Sequence, residues 1–201
     1  PPASHAYGAS LTEWLGTYWR WYYSGADPEQ SVVGRVQLMP LPAGTQVGGT
    51  GTPTDPAIYV GELDITLCPG TPFVLPLVGW IGERYEGYPA TPDDLAIPKE
   101  VLLGGVSPNL TIDGRLVVSD ANEAAFYVGP TAFEPIVEYR TSSSYGSVAA
   151  VFFQGTGIVS PPLPVGKHEM HLYEPYLINW PPYVFGMVFD NTGNITVTPH
   201  C

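Results

Sequence analysis

The string His168-Glu169-Met170-His171 comes nearest to a metal- or proton-handling motif in this chain. Two histidines at i and i+3 share a face only on a helix. Here they follow Leu163-Pro164-Val165-Gly166 into an alternating run, which predicts a strand. On a strand His168, Met170 and Leu172 point one way, and Glu169, His171 and Tyr173 the other, so one ion cannot take both rings. What remains is an acid/base patch. His171 and Tyr173, with Glu83 from elsewhere in the chain, are the candidate catalytic groups, set against a plain solvated strand face. No serine sits in a Gly-x-Ser-x-Gly elbow. Neither Gly48-Gly49-Thr50-Gly51 nor Gly155-Thr156-Gly157 stands between a strand and a helix with a lysine, which argues against a phosphate cradle.

Carboxylates are in excess, and oxygen-rich loops are what Ca²⁺ uses. Asp190, Asn191 and Asn194, read as one hairpin turn, are the candidate Ca²⁺ ligands, with Asp120-Ala121-Asn122-Glu123 and Asp93-Asp94 as similar clusters. None has EF-hand spacing, and the same residues also serve ordinary tight turns. No other cofactor is expected. Glu83, Glu86, Glu62 and Asp64 could supply a glycosidase pair, a role decided by their separation in space.

Aromatic rings are the other surplus, with 13 Tyr, 5 Trp and 7 Phe. In Trp80-Ile81-Gly82-Glu83-Arg84-Tyr85-Glu86-Gly87-Tyr88 rings alternate with ionic groups in a stretch read as too glycine-broken for a core element. Trp80, Tyr85 and Tyr88 are candidate ligand-binding residues there. Tyr173, Tyr176, Trp180 and Tyr183 form a second platform, interrupted by Pro175, Pro181 and Pro182, with Tyr176 and Trp180 as its candidate ligand-binding residues. Flat rings with polar edges suit sugars or another protomer, and they also suit a two-sheet core.

The elements that would carry these groups are mostly strands. Ser10-Leu11-Thr12-Glu13 reads as a capping box. Leu11, Trp14, Leu15, Tyr18, Trp19 and Tyr22 follow as one stripe at the helical period, which predicts an amphipathic helix over 11–24 with Gly25 as its stop. Beyond Ser31 the chain breaks into short β-rich runs: Ile58–Leu67, Phe73–Trp80, Leu110–Val118, Ile136–Arg140, Ser147–Gln154, Lys167–Tyr173, Tyr183–Asp190 and Ile195–Thr198. Pro40–Pro56 and Gly87–Pro98 lack periodicity and read as loops. Ser142-Ser143-Ser144-Tyr145 reads as a polar hairpin loop. Short strands with frequent Gly and Pro turns predict an all-β, two-sheet sandwich, jelly-roll-like, as a single domain over 1–201 with the helix packed on it.

Composition narrows the partners. The 201 residues carry 7 Lys+Arg against 19 Asp+Glu, a net charge of −12. That balance opposes nucleic acid and anionic membranes. With 23 Gly and 23 Pro, an all-α fold is excluded. The longest apolar stretches fall short of the roughly 20 residues of a bilayer span, so the expectation is a soluble chain with no transmembrane segment. A start at Pro1-Pro2-Ala3-Ser4 suggests a mature or trimmed form. Cys68 and Cys201 are expected to form one disulfide, with a buried Cys68 and a terminal thiol as the alternative. Asn109-Leu110-Thr111 and Asn194-Ile195-Thr196 match the glycosylation sequon, a pattern common by chance.

Three segments carry a resemblance. Glu13-Trp14 with Tyr18-Trp19-Arg20-Trp21, the stretch Cys68-Pro69-Gly70-Thr71-Pro72-Phe73-Val74-Leu75-Pro76, and Leu163-Pro164-Val165-Gly166-Lys167-His168 resemble a group of secreted, largely uncharacterised microbial β-sandwich proteins. That group opens with a Glu-Trp and paired-Trp helix and starts a later strand with Leu-x-Pro-Gly-x-His; here the last motif reads Pro-Val-Gly. The resemblance covers about a fifth of the chain, and implies a secreted sandwich but no activity. The reading is a secreted, extracellular binding or assembly module that presents aromatic and carboxylate loops to polysaccharide or to other copies of itself. The alternatives are a carbohydrate-active lyase or hydrolase on the same fold, an argument from fold analogy, and a structural filament subunit.

Overall fold

A computed structural model describes residues 5–42, 44–87, 91–143 and 145–200. Tyr88 and Cys201, both singled out above, lie outside the described residues.

Helix α1 (Leu11–Tyr23) begins where the sequence predicts. The Ser10 hydroxyl accepts from the Glu13 backbone N–H at 3.3 Å, and the Glu13 carboxylate accepts from the Ser10 N–H at 2.6 Å. Two of the orphan N–H groups of the first turn are thereby satisfied. Six residues bury one face: Leu11, Trp14, Leu15, Tyr18, Trp19 and Trp21. The expected stripe is corrected at its end. Tyr22 is 37% exposed, whereas Trp21 is buried and its indole donates to the Asp27 carbonyl at 2.8 Å. Ser24 caps the helix and Gly25 takes φ +116°, a left-handed value that suits glycine.

Among the described residues eleven strands follow: β1 (Val32–Val33), β2 (Val36–Leu38), β3 (Thr45–Gly48), β4 (Ala57–Leu67), β5 (Phe73–Tyr85), β6 (Asn109–Ile112), β7 (Arg115–Val118), β8 (Tyr127–Glu138), β9 (Ser147–Ser160), β10 (Gly166–Trp180) and β11 (Tyr183–Val197). They form two sheets, in the orders β1-β2-β5-β9-β8 and β3-β4-β11-β10-β6-β7. Most neighbours are antiparallel, while β4 with β11 and β2 with β5 are parallel. A second helix, α2 (Lys99–Gly105), was not expected; it packs on β10 and buries Leu102.

The two sheets pack face to face over Phe73, Leu75, Leu77 and Ile158 on one side and Ile65, Met170, Leu172 and Ile195 on the other. Helix α1 covers the far face of the first sheet, against Val74, Val128, Phe133 and Phe153. A third apolar group joins Val78, Ile97, Leu102, Val106, Tyr176 and Ile178 around α2. Burial of three such clusters is the main favourable contribution to folding.

Several boundaries differ from expectation, each because pairing overrides local chemistry. Asp190–Asn194 is not a hairpin turn but the middle of β11, paired along its whole length with β10 and with β4. The segment 80–85 is no loop. It continues β5, whose glycines tolerate bulges near Gly82 and Glu83. The 40–56 stretch contains β3. The described part of 87–98 carries no helix or strand, as expected.

Candidate functional site

The two predicted aromatic platforms are one. Trp80 on β5 meets Tyr183 at 4.6 Å between ring centroids, edge to face, and stacks on Phe185 at 6.0 Å. Trp180 lies 6.0 Å from the same Tyr183. Trp180 and Tyr183 flank the Pro181-Pro182 turn between β10 and β11, so sheet packing brings that hairpin over the end of β5. Trp80, Trp180, Tyr183 and Phe185 are all half-buried, with apolar ring surface left at the rim. Tyr176 is corrected: it is 4% exposed, its ring packs under Phe185, and it is no surface residue.

Beside the rings lies a network of carboxylates and phenols. Asp94, from the loop after β5, accepts from the Tyr85 hydroxyl at 2.8 Å and from the Glu83 N–H at 3.1 Å. Its other oxygen lies 3.4 Å from the Tyr183 hydroxyl. Glu83 accepts from the Tyr139 hydroxyl at 2.6 Å, and its second oxygen is 3.4 Å from the Tyr85 hydroxyl. The adjoining backbone is pinned as well. The Leu95 N–H donates to Tyr183 at 2.6 Å and the Trp80 indole donates to the Leu95 carbonyl at 3.0 Å. Tyr139 stacks on Tyr23 at the end of α1. At the rim Arg84 and Asp93 form an exposed ion pair at 3.6 Å.

Burial, and then the hydrogen bond to Asp94, pushes the Tyr85 phenol up, and burial followed by the bond to Glu83 does the same to Tyr139. Burial also raises Tyr183. These phenols therefore stay protonated and act as donors that fix the carboxylates, which disfavours them as general bases. Each carboxylate oxygen has two acceptor positions, so Glu83 and Asp94 keep capacity for a donor from outside.

The candidate acid/base trio does not assemble. Glu83 sits on the first sheet near the end of α1, whereas His171 and Tyr173 lie on the outward face of the second. His171 pairs with Asp190 at 2.7 Å, and Tyr173 is 44% exposed. His168 points to the opposite face, as strand alternation requires, and its ring nitrogens lie 2.7 Å from Asp113 and 2.8 Å from the Pro164 carbonyl. Those contacts, the Asp113 bond foremost, raise its pKa. The pair ties the start of β10 to the β6–β7 turn.

The candidate Ca²⁺ ligands also separate. Asp190 and Asn194 lie on the outward face, Asn191 on the inward one. Asn194 turns its amide NH₂ to Glu62 at 2.8 Å and Asp64 at 3.0 Å, presenting a donor where a cation needs an oxygen. Asp120 accepts from Ser107 at 2.6 Å and Glu123 is buried. Among the described residues no group of three His, Cys, Asp or Glu side chains is placed to hold a metal.

Of this network the sequence points to Asp94 only as a Ca²⁺-type cluster with Asp93 and to Tyr183 only as a ring of the second platform, and it does not single out Tyr139. Glu83 and Tyr85, two apart on a strand, could have been read as sharing a face. Nothing local points to Tyr139, which is 56 residues from Glu83. No family model matches the chain, nor does any curated protein or solved structure. No described helix is long and apolar enough to cross a membrane.

Proposed function

We propose that the chain is a secreted, extracellular, non-catalytic binding module that holds neutral polysaccharide at the Trp80–Trp180 end. One observation carries this reading: half-buried Trp80, Trp180 and Tyr183 rings adjoin the Glu83 and Asp94 carboxylates, which phenol donors hold in place. Rings stack on the apolar faces of sugars, and fixed acceptors take their hydroxyls. The net charge of −12 favours a neutral glycan over an acidic one. The short motifs that resemble the secreted microbial group support secretion. A jelly-roll description of the sandwich belongs to the same proposal and must accommodate the two parallel strand pairs.

The test is binding to a panel of neutral polysaccharides by affinity electrophoresis, with light scattering to give the mass. Retardation of the wild type that W80A and W180A each reduce at least tenfold is the expected result. Unchanged retardation in both variants overturns the site. A large assembly without glycan binding makes self-association or a filament the function instead.

A second reading has its own observation: the single Tyr85 hydroxyl reaches both Glu83 and Asp94, which brings together two carboxylates, the pair of groups that glycoside hydrolysis uses. Release of reducing ends that E83Q abolishes would establish it.

A further inference from the structure

Between the sheets lies a cavity of about 170 Å³. Its apolar wall is Trp19, Leu41, Leu77, Leu172, Met187 and Phe189, and three polar residues, Glu174, Tyr176 and Asn191, complete it. Glu174 is 2% and Tyr176 4% exposed. The Tyr176 hydroxyl and the Asn191 side-chain oxygen are both buried without a hydrogen-bond partner. None of the three ion pairs among the described residues involves Glu174. Buried polar groups are almost always paired, so a cluster with open hydrogen-bonding capacity, aimed into one space, points to an occupant.

The way in is along an open strand edge. β2 pairs with β5 only at Phe73 and Val74, so that on the side away from β9 no described strand lies beside Leu77–Gly79. The Trp19 ring covers that edge, and Gly79 makes the approach possible. A Cβ at Gly79 would stand 2.5 Å from the ring. Leu41, Met187 and Phe189, each half-buried, form the rim.

Size and polarity select the occupant. An apolar cavity of about 150 Å³ is known to take up benzene, so about 170 Å³ corresponds to a single substituted ring. Burial, and then the charge of Glu123, pushes the Glu174 carboxyl well above the usual carboxylate range, leaving it an O–H to donate. Asn191 offers an acceptor, and Tyr176 can donate or accept. A hydroxyl both accepts and donates, matching all three, whereas an anion would find no cationic partner, since no Lys, Arg or His is among the described residues that line the cavity. We infer that this cavity binds a small uncharged ring compound with one hydroxyl, of phenol or methylphenol size. The ring rests on Trp19, Leu172 and Phe189, and the hydroxyl lies among Glu174, Tyr176 and Asn191.

The experiment is calorimetry and thermal shift on the whole chain with phenol, toluene, benzoate and benzylammonium. Phenol is expected to bind at least tenfold more tightly than toluene and to raise the melting temperature, with benzoate silent. E174L, which removes the polar group without opening a hole, and Y176F should each erase the preference for phenol over toluene while leaving toluene binding in place. E174L should leave polysaccharide retardation unchanged, which separates this cavity from the polysaccharide site. Absence of phenol binding, tighter binding of benzylammonium, or a phenol preference that survives both E174L and Y176F overturns the inference.

Discussion

Glu83 is held by phenols from two elements. Tyr139 gives it a short charge-assisted bond from the end of β8, and Tyr85 reaches it from its own strand. Removing the Tyr139 hydroxyl leaves a half-buried carboxylate short of a donor, which costs about 1–2 kcal/mol where hydrogen bonds to charged groups are worth about 1.5–3. Y139F should therefore shift the urea midpoint down, whereas Y145F, at an exposed residue, should not. A pH dependence is expected as well. Burial, and then the charge of Asp120, pushes the Glu123 carboxyl up to about 7, against about 4.3 in an unfolded chain. The folded state therefore binds this proton more tightly. Its contribution is full below about pH 4.3 and is lost as the pH rises through 7. Glu174 is raised too and acts in the same direction. Unfolding free energy measured in urea should fall between pH 5 and pH 8, and E123Q should flatten that slope. A slope unchanged in E123Q would assign the dependence to other groups.

Among the elements, α1 has two separable supports. S10A removes the capping box and should cost about 1 kcal/mol by chemical denaturation. Gly79→Ala acts from the other side, since its Cβ would meet Trp19 at 2.5 Å, and overpacking of this kind costs about 1–3 kcal/mol. The Trp19 emission should shift in that variant and stay put in S10A. The helix was legible because capping and period are local. Only Trp21 in place of Tyr22 was missed, since what buries Trp21 is an indole bond to Asp27 in the following turn. β11 was not legible as one strand. Asp190-Asn191-Thr192-Gly193-Asn194 has turn composition, yet each residue has a partner on both β10 and β4, and the outward Asp190 and Asn194 find His171, Glu62 and Asp64 across the strands. Pairing on two sides outweighs a local preference worth less than about 1 kcal/mol per residue. Helix α2 was missed for a related reason, because Gly104-Gly105 gives it poor propensity and its packing on β10 supplies the support. For the site, an excess of rings and carboxylates around Trp80 and Trp180 was visible in the sequence. That both rings meet Tyr183, and that Tyr139 reaches Glu83, depends on contacts far apart in the chain.

At the scale of the whole molecule, the sandwich closes by a parallel pair. β11 runs beside β4 from Met187 opposite Ala57 to Val197 opposite Leu67, and the Thr198 N–H then donates to the Leu67 carbonyl at 3.0 Å. That register carries the last described residues along the end of β4, next to which Cys68 follows in sequence. A bridge from Cys68 to Cys201 would link the two termini of this parallel pair. It would act chiefly on the unfolded chain, where a loop of that length is worth roughly 4–5 kcal/mol on the chain-entropy model. The hydrogen-bonded ladder between β4 and β11 does not diminish that contribution, because the ladder is absent once the chain unfolds. Peptide mapping without reductant is therefore expected to find Cys68 joined to Cys201. Reduction, or C68S, should lower the unfolding free energy by an amount approaching that figure while the folded protein keeps its far-ultraviolet spectrum. Two free thiols in chain purified from an oxidising compartment would remove the bridge. They would also weaken the case for secretion, since a persistent structural disulfide belongs to oxidising surroundings and a reduced pair does not.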